Sequence, residues 1–448
     1  MAKLPVTTVL LLVYSLPLLS QGPLLLKDAV QAALQKHPSI EAAGAQVKAA
    51  GSRIEQARSG YLPRVNYSES WQRSDNPVFV FSSLLTQHQF AEQNFAIGRL
   101  NRPDALNNFQ SQVTVDQLIW DFGQTRTQVE SARLGRGIAS EGQRRTQMDV
   151  IANVVRAYYG GVLAKEGLTV AREAVRSAEA DLKRAETVRQ AGMATDADVL
   201  AIRVHLSAMR EQEIRRSYDL EIAAAALNEA LGLPLDAKHD LTTPLTVYAD
   251  TGAPLEQREK EAGESRPEAR QLRLSAALAE QQSKSAHSAF LPQISFRAAF
   301  EADRQEFVNK GGANWFAGAS LRWNLFNGFA DKQRIEEANQ NMVRVRAEQR
   351  QIDSAVRLQV RSAYLDFEAT QERLKVTDAA VAEAEENLRI IKNRYEGGLT
   401  NVTELLRSET ALLEARLRRL AAIHGQRLAA VAVDHAAGTL SADSAVLN

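Results

Sequence analysis

The chain has 448 residues, 54 basic and 54 acidic side chains, no cysteine and 6% aromatic residues. Zero net charge removes the basic excess of a typical nucleic-acid binder, so no nucleic-acid partner is expected. The missing cysteine excludes disulfides, thiolate metal sites and lipid attachment at an N-terminal cysteine.

In chain order, Lys3 followed by the apolar run Val6 to Ser20, interrupted by Pro17, has the layout of a secretory signal. Residues 1–22 are therefore read as a signal peptide cut near Ser20 to Gly22. A membrane anchor is the other reading, but the run is short for a span of about 20 residues. No later segment is long and apolar enough for a transmembrane helix, so a mature chain that meets a membrane must do so with strands.

All twelve prolines lie at or before Pro292, and none falls between Pro103 and Pro234. Two long windows, Gly123 to Gln190 and Gly328 to Glu396, are rich in strong helix formers, and each predicts a helix of roughly 100 Å. Gly160 and Gly161 mark a candidate kink in the first. Each window is followed by a second helical segment with a seam of coiled-coil type: Val199, Ile202, Leu206, Met209, Leu220 and Leu227, then Leu406, Leu413, Leu417 and Leu420. Between the members of each pair come Ala191-Gly192-Met193 and Gly397-Gly398-Leu399, where glycine ends one helix and Thr195 or Thr400 is an N-cap candidate for the next. Each pair is a helical hairpin.

The hairpins are one unit used twice. "AYYGGVLAKEGL" from Ala157 aligns without a gap on "AYLDFEATQERL" from Ala363, an offset of 206 that also places "LIWDFG" (Leu118 to Gly123) on "NLFNGF" (Asn324 to Phe329). "GYLPRVNYS" (Gly60 to Ser68) matches "AFLPQISFR" (Ala289 to Arg297) at offset 229, so the first copy carries an insertion, assigned to Asp75 to Asn108. The organisation expected is a first repeat over 23–234, a linker over 235–254, a second repeat over 255–440 and a disordered tail over 441–448.

Ahead of each long helix the period changes to two. Ile294, Phe296, Ala298 and Phe300 alternate with more polar residues, as do Trp315, Ala317, Ala319, Leu321, Trp323 and Leu325, and weaker alternation occurs around Val65 and Val113. This predicts strands near 64–72, 109–119, 293–301 and 315–325, each about the 9 to 11 residues a tilted strand needs to cross a bilayer. Trp315, Leu321 and Trp323 are the lipid-facing candidates. Taken alone, the strands fit a soluble coiled coil capped by ordinary hairpins equally well. The signal, the apolar face and the long helices together favour lipid, and since four strands cannot close a barrel, several chains must contribute to one.

The duplicated "YLP"/"FLP", the paired strand-to-helix junctions and the turns "AGMATDADVL" and "YEGGLTNVTELL" resemble the TolC family of outer-membrane efflux proteins, from Leu24 to about Gly438. The resemblance implies a homotrimer in the outer membrane. Four strands per subunit would form a twelve-stranded β-barrel continuous with a periplasmic α-helical barrel, the whole conducting substrates passively from an inner-membrane pump with a periplasmic adaptor as partner. It further implies docking of the adaptor at Gly192, Met193, Gly397, Gly398 and Leu399, and places Tyr395 at the gating tyrosine, Glu404 at the first acid of the constriction and Asp198 at the acidic partner. Thr400 stands in place of a gating arginine and Arg407 in place of a second ring acid, so Glu404 and Arg407 are either part of a constriction or an ordinary i, i+3 surface pair.

The alternatives are a periplasmic adaptor, which has one hairpin per chain flanked by soluble β-domains, or a structural coiled coil, which needs no lipid-facing strands. No set of nucleophile, base and oxyanion donors is found, and neither an enzyme nor a cofactor is expected. The seven histidines show no His-x-x-x-His spacing and no acidic partner pattern, so surface or packing roles are expected of them rather than metal ligation.

Overall fold

The computed structural model describes residues 23–192, 194–249, 253–309 and 311–447. The signal assignment over 1–22 lies outside them. The elements in order are β1 (Pro23–Leu24), α1 (Leu26–Lys36), α2 (Pro38–Arg58), β2 (Arg64–Ser74), α3 (Pro77–Thr86), α4 (Ile97–Asn101), β3 (Leu106–Trp120), α5 (Gln124–Gln190) and α6 (Asp196–Leu231). Then come β4 (Asp240–Leu241), α7 (Leu255–Ser265), α8 (Pro267–Ser288), β5 (Gln293–Arg304), β6 (Gly312–Arg322), α9 (Ala330–Glu396) and α10 (Val402–Ala437).

The duplication holds to the residue. Helices α5 and α9 each have 67 residues, α6 and α10 each have 36, and both pairs begin and end at the offset of 206. The left-handed backbone positions recur at the same offset: Phe122 and Gly123 against Gly328 and Phe329, Gly192 against Gly398, and Gly232 against Gly438. At the first of these junctions glycine and phenylalanine have exchanged places, so each copy holds one Phe at positive φ (50° and 66°), a conformation disfavoured for any residue with a Cβ.

Two compact units cut across the repeats. Among the described residues, one comprises those of 23–42, 144–266 and 355–447, and the other those of 43–143 and 267–354. The core of the first gathers Leu26, Val30, Val154, Val155, Tyr158, Tyr159, Leu231 and Val431, all nearly inaccessible. Each such side chain stabilises the fold by roughly 1.5–3 kcal/mol relative to exposure. Tyr158 Oη donates to the Leu24 carbonyl at 2.6 Å and accepts from Thr243 N at 2.9 Å, which fastens the short parallel pair β1–β4 to α5. The linker is anchored as well: the Arg427 guanidinium lies between the Tyr159 and Tyr248 rings, 5.6 Å from each, and Nε donates to the Thr246 carbonyl at 2.6 Å.

Several expectations need correction. Residues 441–447 are not a disordered tail: Ala445–Leu447 is a short 3-10 helix, and Val446 and Leu447 are buried in the core just described. Gly160 and Gly161 do not break α5. A Cβ at Gly161 would stand 2.7 Å from Leu241 Cδ1, so that glycine admits a linker side chain rather than a bend. The N-cap of α10 is Asn401, whose Oδ1 accepts from Glu404 N at 3.1 Å, and not Thr400. Asn401 is the offset counterpart of Thr195, which does cap α6.

The second unit is organised by an antiparallel sheet in the order β2-β3-β5-β6. Its register pairs Tyr67 with Val113, Val113 with Phe300 and Phe300 with Trp315, and a bulge falls between Leu118 and Trp120. The insertion before β3 starts with Asn76, whose Oδ1 caps α3 by accepting from Val78 N and Phe79 N, with Pro77 at the first helical position. Gln87 then ties the insertion to β3 through the Asn107 carbonyl at 3.0 Å and Asn108 Oδ1 at 2.8 Å.

Candidate channel wall and hairpin turns

Side chains directly opposite one another in an antiparallel sheet share a face, so the register alone sorts the sheet. One face carries Val65, Tyr67, Trp71, Val113, Val115, Phe296, Phe300, Trp315 and Leu321. Most of these are exposed, Trp315 to 77% and Leu321 to 62%. The opposite face is a ladder of polar pairs: Arg297 Nε to Asp116 Oδ1, Gln110 and Gln112 to Glu301, Asn108 to Asp303 at 2.6 Å, and Ser295 to Ser320 at 3.0 Å. A sheet with one mainly apolar, exposed face, interrupted by the Glu69, Ser111 and Arg304 cluster, and one hydrogen-bonded polar face is suited to separate lipid from water. Both its outer strands, β2 and β6, leave one edge unpaired among the described residues. Trp323, expected on the lipid-facing strand, lies just beyond β6, which ends at Arg322. The Trp323 indole instead donates to the Phe290 carbonyl at 3.0 Å, an amphipathic anchor just beyond the sheet.

At the far ends of the long helices, Gly192 (φ 78°) and Gly398 (φ 69°) turn the chain in the left-handed region. The second turn closes with Gly398 N to the Tyr395 carbonyl at 3.0 Å and Leu399 N to the Arg394 carbonyl at 2.8 Å. Leu399 is 71% exposed, and a Cβ at Gly398 would meet no atom within 4 Å. These are open, glycine-dependent tips. Gly397 does not need the left-handed region, and Met193 lies outside the described residues.

Asp198 completes a capping box: its Oδ2 accepts from Thr195 N at 3.1 Å and Thr195 Oγ1 at 2.8 Å, while Asp198 N donates back to Oγ1. Tyr395 packs against Ala185, Val199, Ile202 and Val402. Burial, reinforced by the Asp198 and Asp181 charges, pushes its phenol up from the ordinary value. Tyr395 and Asp198 are therefore neighbours, but the carboxylate is occupied with capping. Glu404 Oε1 accepts from Arg407 Nη1 at 3.0 Å, an i, i+3 pair with Arg407 largely exposed. Between the hairpins, Arg184 of α5 pairs with Glu396 of α9.

Sequence reasoning missed the polar residues buried between the hairpins. Asp181 of α5, 5% exposed, receives Lys392 Nζ of α9 at 3.3 Å. Glu409 of α10 accepts from Ser177 Oγ at 3.1 Å and lies 3.3 Å from His205 Nε2 of α6. Burial, then the neighbouring Glu409, push Asp181 up to about 6. Burial raises Glu409, but the neighbouring His205, Asp181 and Ser177 outweigh it and hold it low. His205 thus has an acidic partner after all, and so does His435, whose Nε2 is 2.7 Å from Asp149 Oδ1. The signal available in sequence was a charge, Asp181, inside the buried stripe Val175, Ala178, Ala185.

Comparison with known proteins agrees with this geometry. The family model described as outer membrane efflux protein matches residues 29–233 and 260–439, spanning both repeats. Protein CyaE of Bordetella pertussis is 27% identical over 432 residues, covering 93% of this chain and 84% of CyaE. The alkaline protease secretion protein AprF of Pseudomonas aeruginosa is 23% identical over 401 residues, covering 86% and 76%. Among solved structures, the Campylobacter jejuni CmeC outer membrane channel superposes with a TM-score of 0.76 at 17% identity, covering 94% of this chain and 87% of CmeC. These matches do not favour the adaptor or coiled-coil alternatives. The chain belongs to the outer membrane efflux protein family, the outer-membrane exit ducts of efflux and secretion systems.

Proposed function

We propose that three copies of this chain join their sheets edge to edge into one twelve-stranded barrel and that the paired hairpins carry the duct on through the periplasm to an adaptor and an inner-membrane pump. The observation that carries this reading is the four-stranded sheet with one mainly apolar face, one polar face and, among the described residues, two unpaired edges. An open edge in lipid leaves backbone groups unsatisfied at several kcal/mol each, and trimer closure removes every edge at once. Transport needs no covalent chemistry from the wall, and no catalytic residue is assigned.

The exposed tips around Gly192, Gly397, Gly398 and Leu399 support adaptor docking, because glycine lets another backbone approach closely. Tyr395, Asp198, Glu404 and Arg407 would form the periplasmic constriction: they lie at these same helix ends, and three Glu404 copies about an axis would favour cations unless the Arg407 partners neutralise them. The test is a planar bilayer recording of the purified protein alongside gel mobility before and after heating. A heat-dissociated trimer is expected, with a raised conductance in Tyr395→Phe and Asp198→Ala. A monomer in unheated samples would reject the shared barrel, and unchanged conductance in both variants would move the constriction elsewhere.

A further inference from the structure

The polar group between the hairpins holds more than packing requires. Asp181 and Glu409 are 228 positions apart in sequence, yet Glu409 accepts from Ser177 Oγ at 3.1 Å, one helical turn before Asp181 on the same face of α5, so the two carboxyl groups are neighbours. Asp181 Oδ2 and Glu409 Oε2 are both fully buried, and neither accepts a hydrogen bond from any described residue. His205 Nε2 is at ion-pair distance from Oε2 but not aligned to donate to it. Two ionised carboxylates in such contact repel, and an orphaned buried carboxylate oxygen is expensive. A single proton placed between them turns one acceptor into a donor and relieves both faults.

We propose that Asp181 and Glu409 share one proton, and that this proton joins the first helical hairpin to the second, so that the contact is strongest in mildly acidic surroundings and loosens toward neutral pH. The groups facing the pair from every packed helix are consistent with one proton. From α5 comes the Ser177 hydroxyl, and from α6 comes His205. Lys392 and the Tyr395 phenol approach from α9. Glu173 and Arg416 stand nearby, but they are occupied with each other at 3.5 Å, and Arg416 also bonds Glu385 at 2.8 Å. One close lysine compensates one carboxylate of the pair, and the other is neutral when protonated. A cleft of about 240 Å³, lined by Ser177, His205, Met209, Leu413 and Glu409 among others, gives water a route to the Glu409 side.

The sign follows from Asp181, whose folded-state value of about 6 lies above its ordinary 3.8. The folded state therefore holds this proton more tightly, and the stability it contributes is full below the ordinary value and is lost as pH rises through about 6. The Asp181–Glu409 contact is independent of where the constriction lies.

Infrared difference spectroscopy on the full-length protein, between about pH 5 and about pH 8, reads the shared proton directly. A protonated-carboxyl carbonyl band is expected to disappear over that interval in the native chain. It should be absent from the interval in Asp181→Asn, where Glu409 stays ionised, and in Glu409→Gln, where the amide donates to Asp181 and lowers its titration. Melting temperature should fall with rising pH in the native chain and lose that dependence in Asp181→Asn. Both variants are isosteric, and helical circular dichroism confirms that each is folded. A native chain without the band, or a band retained in either variant, overturns the shared proton. A melting profile as pH-dependent in Asp181→Asn as in the native chain overturns the link between the hairpins.

Discussion

In the first hairpin Arg203 donates to Glu186 at 2.7 Å. At the same two positions of the second hairpin stand Glu409 and Lys392, with the charges reversed, and each bonds to the first hairpin instead: Lys392 to Asp181, Glu409 to Ser177. The counterpart of Asp181 is Asn387, which donates within its own hairpin to Ser408 Oγ at 3.2 Å. The cap position differs in the same way. Asp198 folds back to complete a capping box, whereas its counterpart Glu404 reaches forward to Arg407. Duplication preserved where each helix begins and ends, while the side chains differ so that one copy holds a contact within its hairpin and the other makes contacts between the two.

The comparison is tested first where the copies ought to behave alike. Leu321 and Val115 occupy the same offset position and the same apolar face. Arg at either should reduce outer-membrane insertion, by up to about 2–4 kcal/mol for the more central Val115 and less for Leu321 near the strand end, while Ser320→Ala and Thr114→Ala on the polar face should be mild. Fractionation of the four variants decides it, and sensitivity in only one copy would mean the two strand pairs do not both face lipid.

The next effect separates equivalent glycines. Gly438→Ala must place its Cβ 2.8 Å from Arg266 Cα at φ 75°, Gly232→Ala 3.1 Å from Pro38 Cδ at φ 69°, and Gly398→Ala in open space at φ 69°. Losses of about 1–3 kcal/mol are expected in that descending order, since strain is common to all three and crowding is not. Denaturant melts give the ranking, and an equal loss at all three would make the neighbours irrelevant.

Charge removal gives the third contrast. Near neutral pH, Lys392→Ala should cost about 1–2 kcal/mol because it takes a partner from a buried carboxylate. Arg203→Ala, in an exposed pair, should cost less than about 1 kcal/mol. Equal values in thermal melts would deny that the second copy's charges work between hairpins. Smallest of all, Glu404→Gln should change stability by no more than about 0.5 kcal/mol, and its effect should appear in the cation selectivity of bilayer currents. Unaltered selectivity leaves Glu404 and Arg407 as a solvated pair.

Much of the architecture was legible. Proline-free windows of strong helix formers marked α5 and α9 nearly to the residue, because helix propensity summed over so long a window leaves no competing state. The gap-free offset of 206 carried the hairpin boundaries from one copy to the other, and applied strictly it also points from Thr195 to Asn401 as the second cap. The alternation around Trp315 located β6, but it ran on through Trp323 to Leu325, where side-chain pattern persists and the strand pairing has stopped. Glu404 and Arg407 were a visible pair because three residues on a helix are neighbours by geometry.

Sequence alone determined which segments are helix or strand, that the unit is used twice, and which strand face is apolar, since each depends on periodicities of two or 3.6 residues and on local propensity. Tertiary structure alone decided that Val446 and Leu447 close a core, that Gly161 makes room for Leu241, and that Asp181 meets Glu409 and Lys392. Those contacts join residues about 80 to several hundred positions apart. No local pattern encodes such a distance, because it is set by how long helices pack side by side.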